Sequence, residues 1–195
     1  MLLPSIKATL RRVFRALTRP RMLYGLRRHD GTWLPHTRVG STTDLVHPQG
    51  LDIGDHVYVG QFNLLDASGG LHIGEGTQVT SHVVILTHSS HRAVRLAGRG
   101  YWGHPQPPGL VRRATEIGPW CFIGAHSVIA PGARLGRGVL VRAFSYVEGE
   151  VPDFAVVGGQ PARVIGDVRD ADAPWLAQDP ALQAHYCGGG VPPRA

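Results

Sequence analysis

Cysteine is nearly absent from this 195-residue chain: Cys121 and Cys187 are the only two. That excludes a disulfide framework, and neither cysteine sits in a metal-type pair. Aromatic residues make up only 7%, which argues against a core built on large rings. No apolar run approaches the length of a membrane span, and no signal-type apolar core follows the basic start, so a cytoplasmic setting is expected. Acidic residues are missing from positions 1–28, which hold eight basic ones: Lys7, Arg11, Arg12, Arg15, Arg19, Arg21, Arg27 and Arg28. The remaining stretch has twelve basic and fourteen acidic residues and is near neutral. The net charge of +6 therefore belongs to the N-terminal arm, not to a basic folded body, and nucleic acid is not an expected partner.

What the chain has is glycine (26), proline (15) and a period. Residues 5–19 read as a helix with Ile6, Leu10, Val13, Phe14 and Leu17 on one side and cations on the rest; Pro20 ends it. Such a helix packs on protein or lies on anionic lipid at the inner face of a membrane. Residues 29–50 read as an irregular lead-in, making 1–50 an N-terminal appendage. From residue 51, aliphatic residues recur six apart: Ile53, Val59 and Leu65; then Ile73, Val79 and Ile85; then Ile117, Ile123, Ile129, Leu135, Val141 and Val147. A step of eight near Ser68-Gly69-Gly70 marks a bulge. Six is a whole number of strand repeats, so every hexad turns the same face inward, and this predicts an all-β solenoid, a parallel β-helix, over 51–166. The small residue at the second place of many hexads is expected to serve the corner turn. The fifth places of the long run (Cys121, Ser127, Ala133, Val139, Ser145, Val151) are mostly small.

Residues 87–116 break the period as one long excursion loop carrying His88, His91, Tyr101, Trp102 and His104, and such an interruption in a rigid repeat is usually functional. Residues 167–195 read as a cap with a short C-terminal helix opened by Asp179-Pro180, then a disordered tail over 188–195.

The stretches Val84-Ile85-Leu86-Thr87-His88, IGPWCFIGAHSVIAPGARLGRGVLV and VVGGQPARVIG resemble the hexapeptide-repeat acyltransferases, in particular the maltose, galactoside and polysaccharide O-acetyltransferase branch. The resemblance covers about residues 50–167. It implies left-handed coiling, acetyl-CoA as cosubstrate without a required metal, and a homotrimer with active sites between subunits. It implies His88 as general base, with His91 as a rival or substrate contact. The base would take the acceptor hydroxyl's proton and return it to the departing thiolate. Members orient this base with an Asn or Asp from an earlier coil. The matching position is Gln61, a departure, with Asn63 and Asp66 as alternatives. Gly124 and the backbone of Ala125 would serve the thioester region and Ala143, one coil on, the pantetheine arm. Pro161 would shape the loop beside the adenine and Arg163 would meet CoA phosphate. Tyr101 and Trp102 are candidates for stacking on a saccharide acceptor, a cell-surface glycan or its precursor. Alternatives are a sugar or antibiotic N-acetyltransferase, a zinc site like that of the γ-class carbonic anhydrases (for which His82, His88 and His91 lack the spacing), and a non-catalytic scaffold.

Overall fold

The computed structural model describes residues 4–187. It is a left-handed parallel β-helix of three faces. The first face stacks Trp33–Gly40, Tyr58–Val59, Gln78–Val79, Phe122–Ile123, Leu140–Val141 and Ala155–Gly159. The second stacks Asp44–Val46, Leu64–Asp66, Val84–Ile85, Val128–Ile129 and Tyr146–Val147, and the third Leu51–Ile53, Leu71–Ile73, Thr115–Ile117, Arg134–Leu135 and Glu150–Val151. The register sets the coil length. Arg38 pairs with Tyr58 and Tyr58 with Gln78, twenty residues per coil, whereas Phe122 pairs with Leu140, eighteen on.

The hexad rule holds in the core. All twelve first-place aliphatics, Ile53 through Val147, are buried in one column-filled interior. At about 1.5–3 kcal/mol for each fully buried branched side chain, these ladders are the main stabilising term. Fifth places also point inward. Those that are polar, including Asn63, Thr77, Ser127 and Ser145, bond to neighbouring coils, and among the described residues no buried side-chain polar atom lacks a partner.

The second-place glycines have a different task from the one expected. The left-handed corner conformation falls at the fourth place, on His56, Phe62, His82, Trp120, His126, Phe144 and Phe154, all with φ near +60°. Gly54, Gly60, Gly118 and Gly124 are needed because the next coil is too close for a side chain. A Cβ on Gly118 would sit 2.6 Å from the carbonyl oxygen of Gly136, and one on Gly124 2.5 Å from the amide nitrogen of Ala143. A left-handed non-glycine residue costs about 1–2 kcal/mol. Here the residues that bear that cost are imidazoles and aromatics, and they stack. Phe62, His82, His126 and Phe144 form a column along the first corner, with ring centroids 5.1, 4.8 and 4.9 Å apart. Such ring contacts return about 0.5–1.5 kcal/mol each.

Both ends of the first face are closed by antiparallel strands. Met22–Arg27 pairs with Trp33–Gly40, and Ala162–Asp167 pairs with Ala155–Gly159. This corrects the reading of 29–50 as irregular: Trp33–Gly40 and Asp44–Val46 belong to the first coil. The stretch escaped the hexad pattern because polar and Pro-containing sequence at a solenoid end covers less core. The N-terminal helix spans Pro4–Thr18, and its Leu10, Val13 and Phe14 are exposed; the side chains of Ile6 and Leu17 lie outside the described residues. The C-terminal cap is two helices rather than one, Val168–Gln178 and Pro180–Cys187, and the first is capped by Asp167 accepting from the Arg169 amide. Residues 188–195, read as a tail, lie outside the described residues.

Candidate active site

The excursion leaves the β-helix at the second corner, between the second and third faces. It is more ordered than a plain loop. His88–Ser89 pairs antiparallel with Val111–Arg112, a short helix covers Ala93–Ala97, and Thr115 re-enters the coil with its amide on the Gly70 carbonyl.

At the root of this excursion stands an Asp–His pair. The strand Leu64–Asp66 ends with the Asp66 side chain turned inward, 3% exposed, under the coil that carries Thr87 and His88. Asp66 Oδ1 accepts from the Ser68 amide at 3.0 Å, and Oδ2 accepts from the Thr87 amide and hydroxyl at 2.9 and 2.8 Å. His88 Nδ1 lies 2.7 Å from the same Oδ2 and 3.1 Å from Ser68 Oγ. Burial alone would raise the Asp66 carboxyl. The backbone N–H groups of Ser68 and Thr87, joined by their hydroxyls, outweigh burial and hold it well below the usual carboxylate range. An ionised carboxylate can only accept, so the Nδ1 of His88 carries the proton and Nε2 presents its lone pair. The His88 side chain is 44% exposed. The result is an imidazole of fixed tautomer, anchored from behind and open in front.

Of the three residues read as candidates for orienting His88, this selects Asp66. Asn63 is buried at the first corner, where its amide donates to the Thr80 carbonyl and its oxygen accepts from the Val83 amide. Gln61 accepts from the Thr42 hydroxyl and donates to the Arg21 carbonyl. Neither reaches His88, because both lie one full face away. His91 is turned to Ser89 Oγ, 2.8 Å from its Nδ1. The sequence marked Ser68 only as part of a bulge and Thr87 only as part of the Thr-His stretch, not as partners of Asp66. Their signal was positional, since Leu65 pairs with Ile85 and so sets the Asp66–Ser68 turn under Thr87-His88.

No protein-family model matches the chain. Over 137 residues it is 32% identical to serine acetyltransferase 4 of Arabidopsis thaliana, a match spanning 70% of this chain and 35% of that protein. It is 28% identical over 121 residues to a putative lipopolysaccharide biosynthesis O-acetyl transferase of Escherichia coli K12, spanning 57% of each. A hexapeptide-repeat containing acetyltransferase of Vibrio cholerae, solved with acetyl coenzyme A, superposes with a TM-score of 0.56 at 25% identity over 64% of each chain. A maltose O-acetyltransferase from Clostridium difficile 630 shares the fold with a TM-score of 0.54 at 20% identity, over 65% of this chain and 64% of that one. The relatives of this hexapeptide-repeat chain are acetyltransferases. The chain spans 35% to 57% of the length of the two curated relatives named.

The hexapeptide repeat also places the other candidate residues. Gly124 and Ala125 turn the first corner, and Ala143 turns it one coil later, the Phe144 amide donating to the Ala125 carbonyl at 2.9 Å. The N–H groups of Ala125 and Ala143 have no acceptor among the described residues. Gly124, lacking a Cβ, leaves the Ala143 nitrogen uncovered. These two spare amides stand one coil apart along the helix axis. Pro161 follows a cis peptide bond in the hairpin turn between Ala155–Gly159 and Ala162–Asp167. Arg163 lies exposed just beyond, its guanidinium bonded among the described residues only to the Ala162 carbonyl at 2.8 Å. In the excursion Trp102 is 91% exposed and Tyr101 partly so. His82, part of the alternative zinc reading, is stacked between Phe62 and His126 at the first corner and does not meet His88.

Proposed function

We propose that this protein transfers acetyl from acetyl-CoA to a hydroxyl of a saccharide, a cell-surface glycan or its precursor, with His88 as general base. The observation that carries the reading is the Asp66–His88 pair at the mouth of the excursion. A hydroxyl becomes a competent nucleophile when Nε2 of His88 takes its proton as the oxygen attacks the thioester carbon. The carboxylate of Asp66 holds the ring and stabilises the imidazolium formed. When the tetrahedral intermediate collapses, the C–S bond breaks and the same Nε2 returns the proton to the thiolate. No covalent enzyme intermediate is needed. A saccharide acceptor is supported by the relative whose name places it in lipopolysaccharide biosynthesis, and by partly exposed Tyr101 and exposed Trp102 in the excursion that His88 opens.

The amides of Ala125 and Ala143 fit the thioester and pantetheine arm of CoA, and Arg163 fits a CoA phosphate. These groups lie at the first corner and beyond it, while His88 lies at the second. A five-residue face separates the corners by about 16 Å. One chain therefore does not bring the base and these amides together, which supports a homotrimer whose sites form between one subunit's second corner and its neighbour's first. The N-terminal helix, with Arg11, Arg12 and Arg15 beside exposed Leu10 and Phe14, fits peripheral contact with an anionic cytoplasmic membrane face, where lipid-linked acceptors would be met. Among the described residues no helix is long and apolar enough to cross a membrane.

Calorimetric titration with acetyl-CoA, followed by thiol release in the presence of a panel of hydroxyl and amino sugars, tests the reading. Saturable binding with acceptor-dependent release on hydroxyl sugars is expected. Release only on amino sugars would assign N-acetyl transfer, and no CoA binding would remove the acyltransferase reading.

A further inference from the structure

The third corner, at the N-terminal end of the β-helix, holds a cluster that acyl transfer does not use. His36, from the strand Trp33–Gly40, and His56, from the turn after Leu51–Ile53, are twenty residues apart and so stand one above the other. Their rings stack at 4.3 Å with planes 6° apart, and both are exposed. Asp55 bonds to both residues. Its Oδ1 accepts from the His36 amide (3.0 Å), the His56 amide (2.8 Å) and the Thr37 hydroxyl (3.1 Å), while Oδ2 meets His36 Nδ1 at 2.9 Å. Burial would raise this carboxyl, but those donors pull it down to about 2, so it is ionised at neutral pH.

We propose that His36, Asp55 and His56 bind a divalent first-row transition cation, with zinc the expected occupant. Their donor atoms lie within 4.8 Å of one another, so small torsional changes in two exposed rings bring them to a common centre. Two imidazole nitrogens and one carboxylate oxygen select zinc and its neighbours over calcium or magnesium, leaving a further position for water. Three donors on Oδ1 fix the carboxylate and leave Oδ2 to the metal, the kind of outer support such ligands require. Ligation through His36 Nδ1 places that ring's one proton on Nε2, so the neutral imidazole binds by a change of tautomer. The consequence is mechanical. The cation joins the first coil to the second. The site is at a different corner from His88 and does not depend on the acyltransferase reading.

Isothermal titration of the chelator-treated full chain with zinc tests this, alongside His36→Gln, His56→Gln and, as a control in the excursion, His104→Gln. A single saturable event per chain is expected, with affinity reduced roughly tenfold or more in the first two variants and unchanged in the control. Zinc should also raise the thermal midpoint of the wild type, since a ligand that binds only the folded state stabilises it. Cobalt in the unmutated chain gives an absorbance readout that needs no variant to fold. Absence of zinc binding, an event undiminished in both variants, or a cobalt spectrum identical to the free ion would overturn the proposal.

Discussion

At the scale of single residues, the proposed chemistry rests on which atoms Asp66 leaves free. Its carboxylate satisfies Ser68 and Thr87 and still receives the His88 N–H. His88→Ala is expected to lower turnover by about 10²–10⁴-fold with CoA affinity unchanged, as steady-state kinetics and calorimetry would show. Wild-type turnover in this variant would remove the base assignment. Asp66→Asn must turn an NH2 toward donors, so it should lose both turnover and stability. The same carboxyl predicts a pH effect. Its folded pKa is depressed, so its stabilisation is complete above the unfolded carboxylate value of about 4 and is lost as pH falls below it. Denaturant melts at pH 6 and pH 3 should therefore show a steeper acid loss in the wild type than in Asp66→Asn. Burial pushes the Cys121 thiol up to about 11, with Sγ against the Gly136 carbonyl, so it should resist alkylation until the chain unfolds. His88 was singled out in the sequence through the resemblance carried by Thr87-His88 ahead of the excursion. The choice among Gln61, Asn63 and Asp66 was not, because it depends on which coil edge each occupies.

At the scale of elements, the hexad is a statement about two kinds of crowding. Inward, aliphatic ladders fill the core; along the axis, successive coils touch backbone to backbone at the second place. Gly124→Ala is expected to destabilise by about 3 kcal/mol or more, because the obstacle is the backbone of Val141, Arg142 and Ala143, which cannot step aside. Gly100→Ala, with nothing within 4 Å, should change stability by less than about 0.5 kcal/mol. Equal losses in chemical denaturation would mean that second-place glycines are not set by coil spacing. The sequence showed glycine at that place but not its reason. The left-handed turns fall instead at the fourth place, on Gly76, Gly132 and Gly138 but mostly on histidines and aromatics, whose stacking appears only when residues eighteen or twenty apart are brought into one column.

At the scale of the whole molecule, the parts of the proposed reaction are divided between corners. Sedimentation equilibrium should give a trimer, and mixing His88→Ala chains with chains altered on the proposed CoA side by Arg163→Glu, an exposed position, should restore part of the lost turnover through mixed interfaces; monomers with full activity would defeat this arrangement. Removing residues 1–19 should leave the β-helix and transfer to a water-soluble acceptor intact but abolish co-sedimentation with anionic vesicles. Undiminished vesicle binding would return the helix to a protein-packing role. The sequence by itself determined the coiled architecture, because a period of six leaves a single way to bury every first-place aliphatic. It also determined where that architecture is interrupted. Only the tertiary structure decided which carboxylate stands behind His88, that residues 33–46 are already part of the stack, and that His36 and His56 share a column. Those facts depend on coil lengths of twenty, eighteen and, across the excursion, forty-four residues. Coil length is set by how turns pack against the coil below, and no local pattern in the chain encodes that.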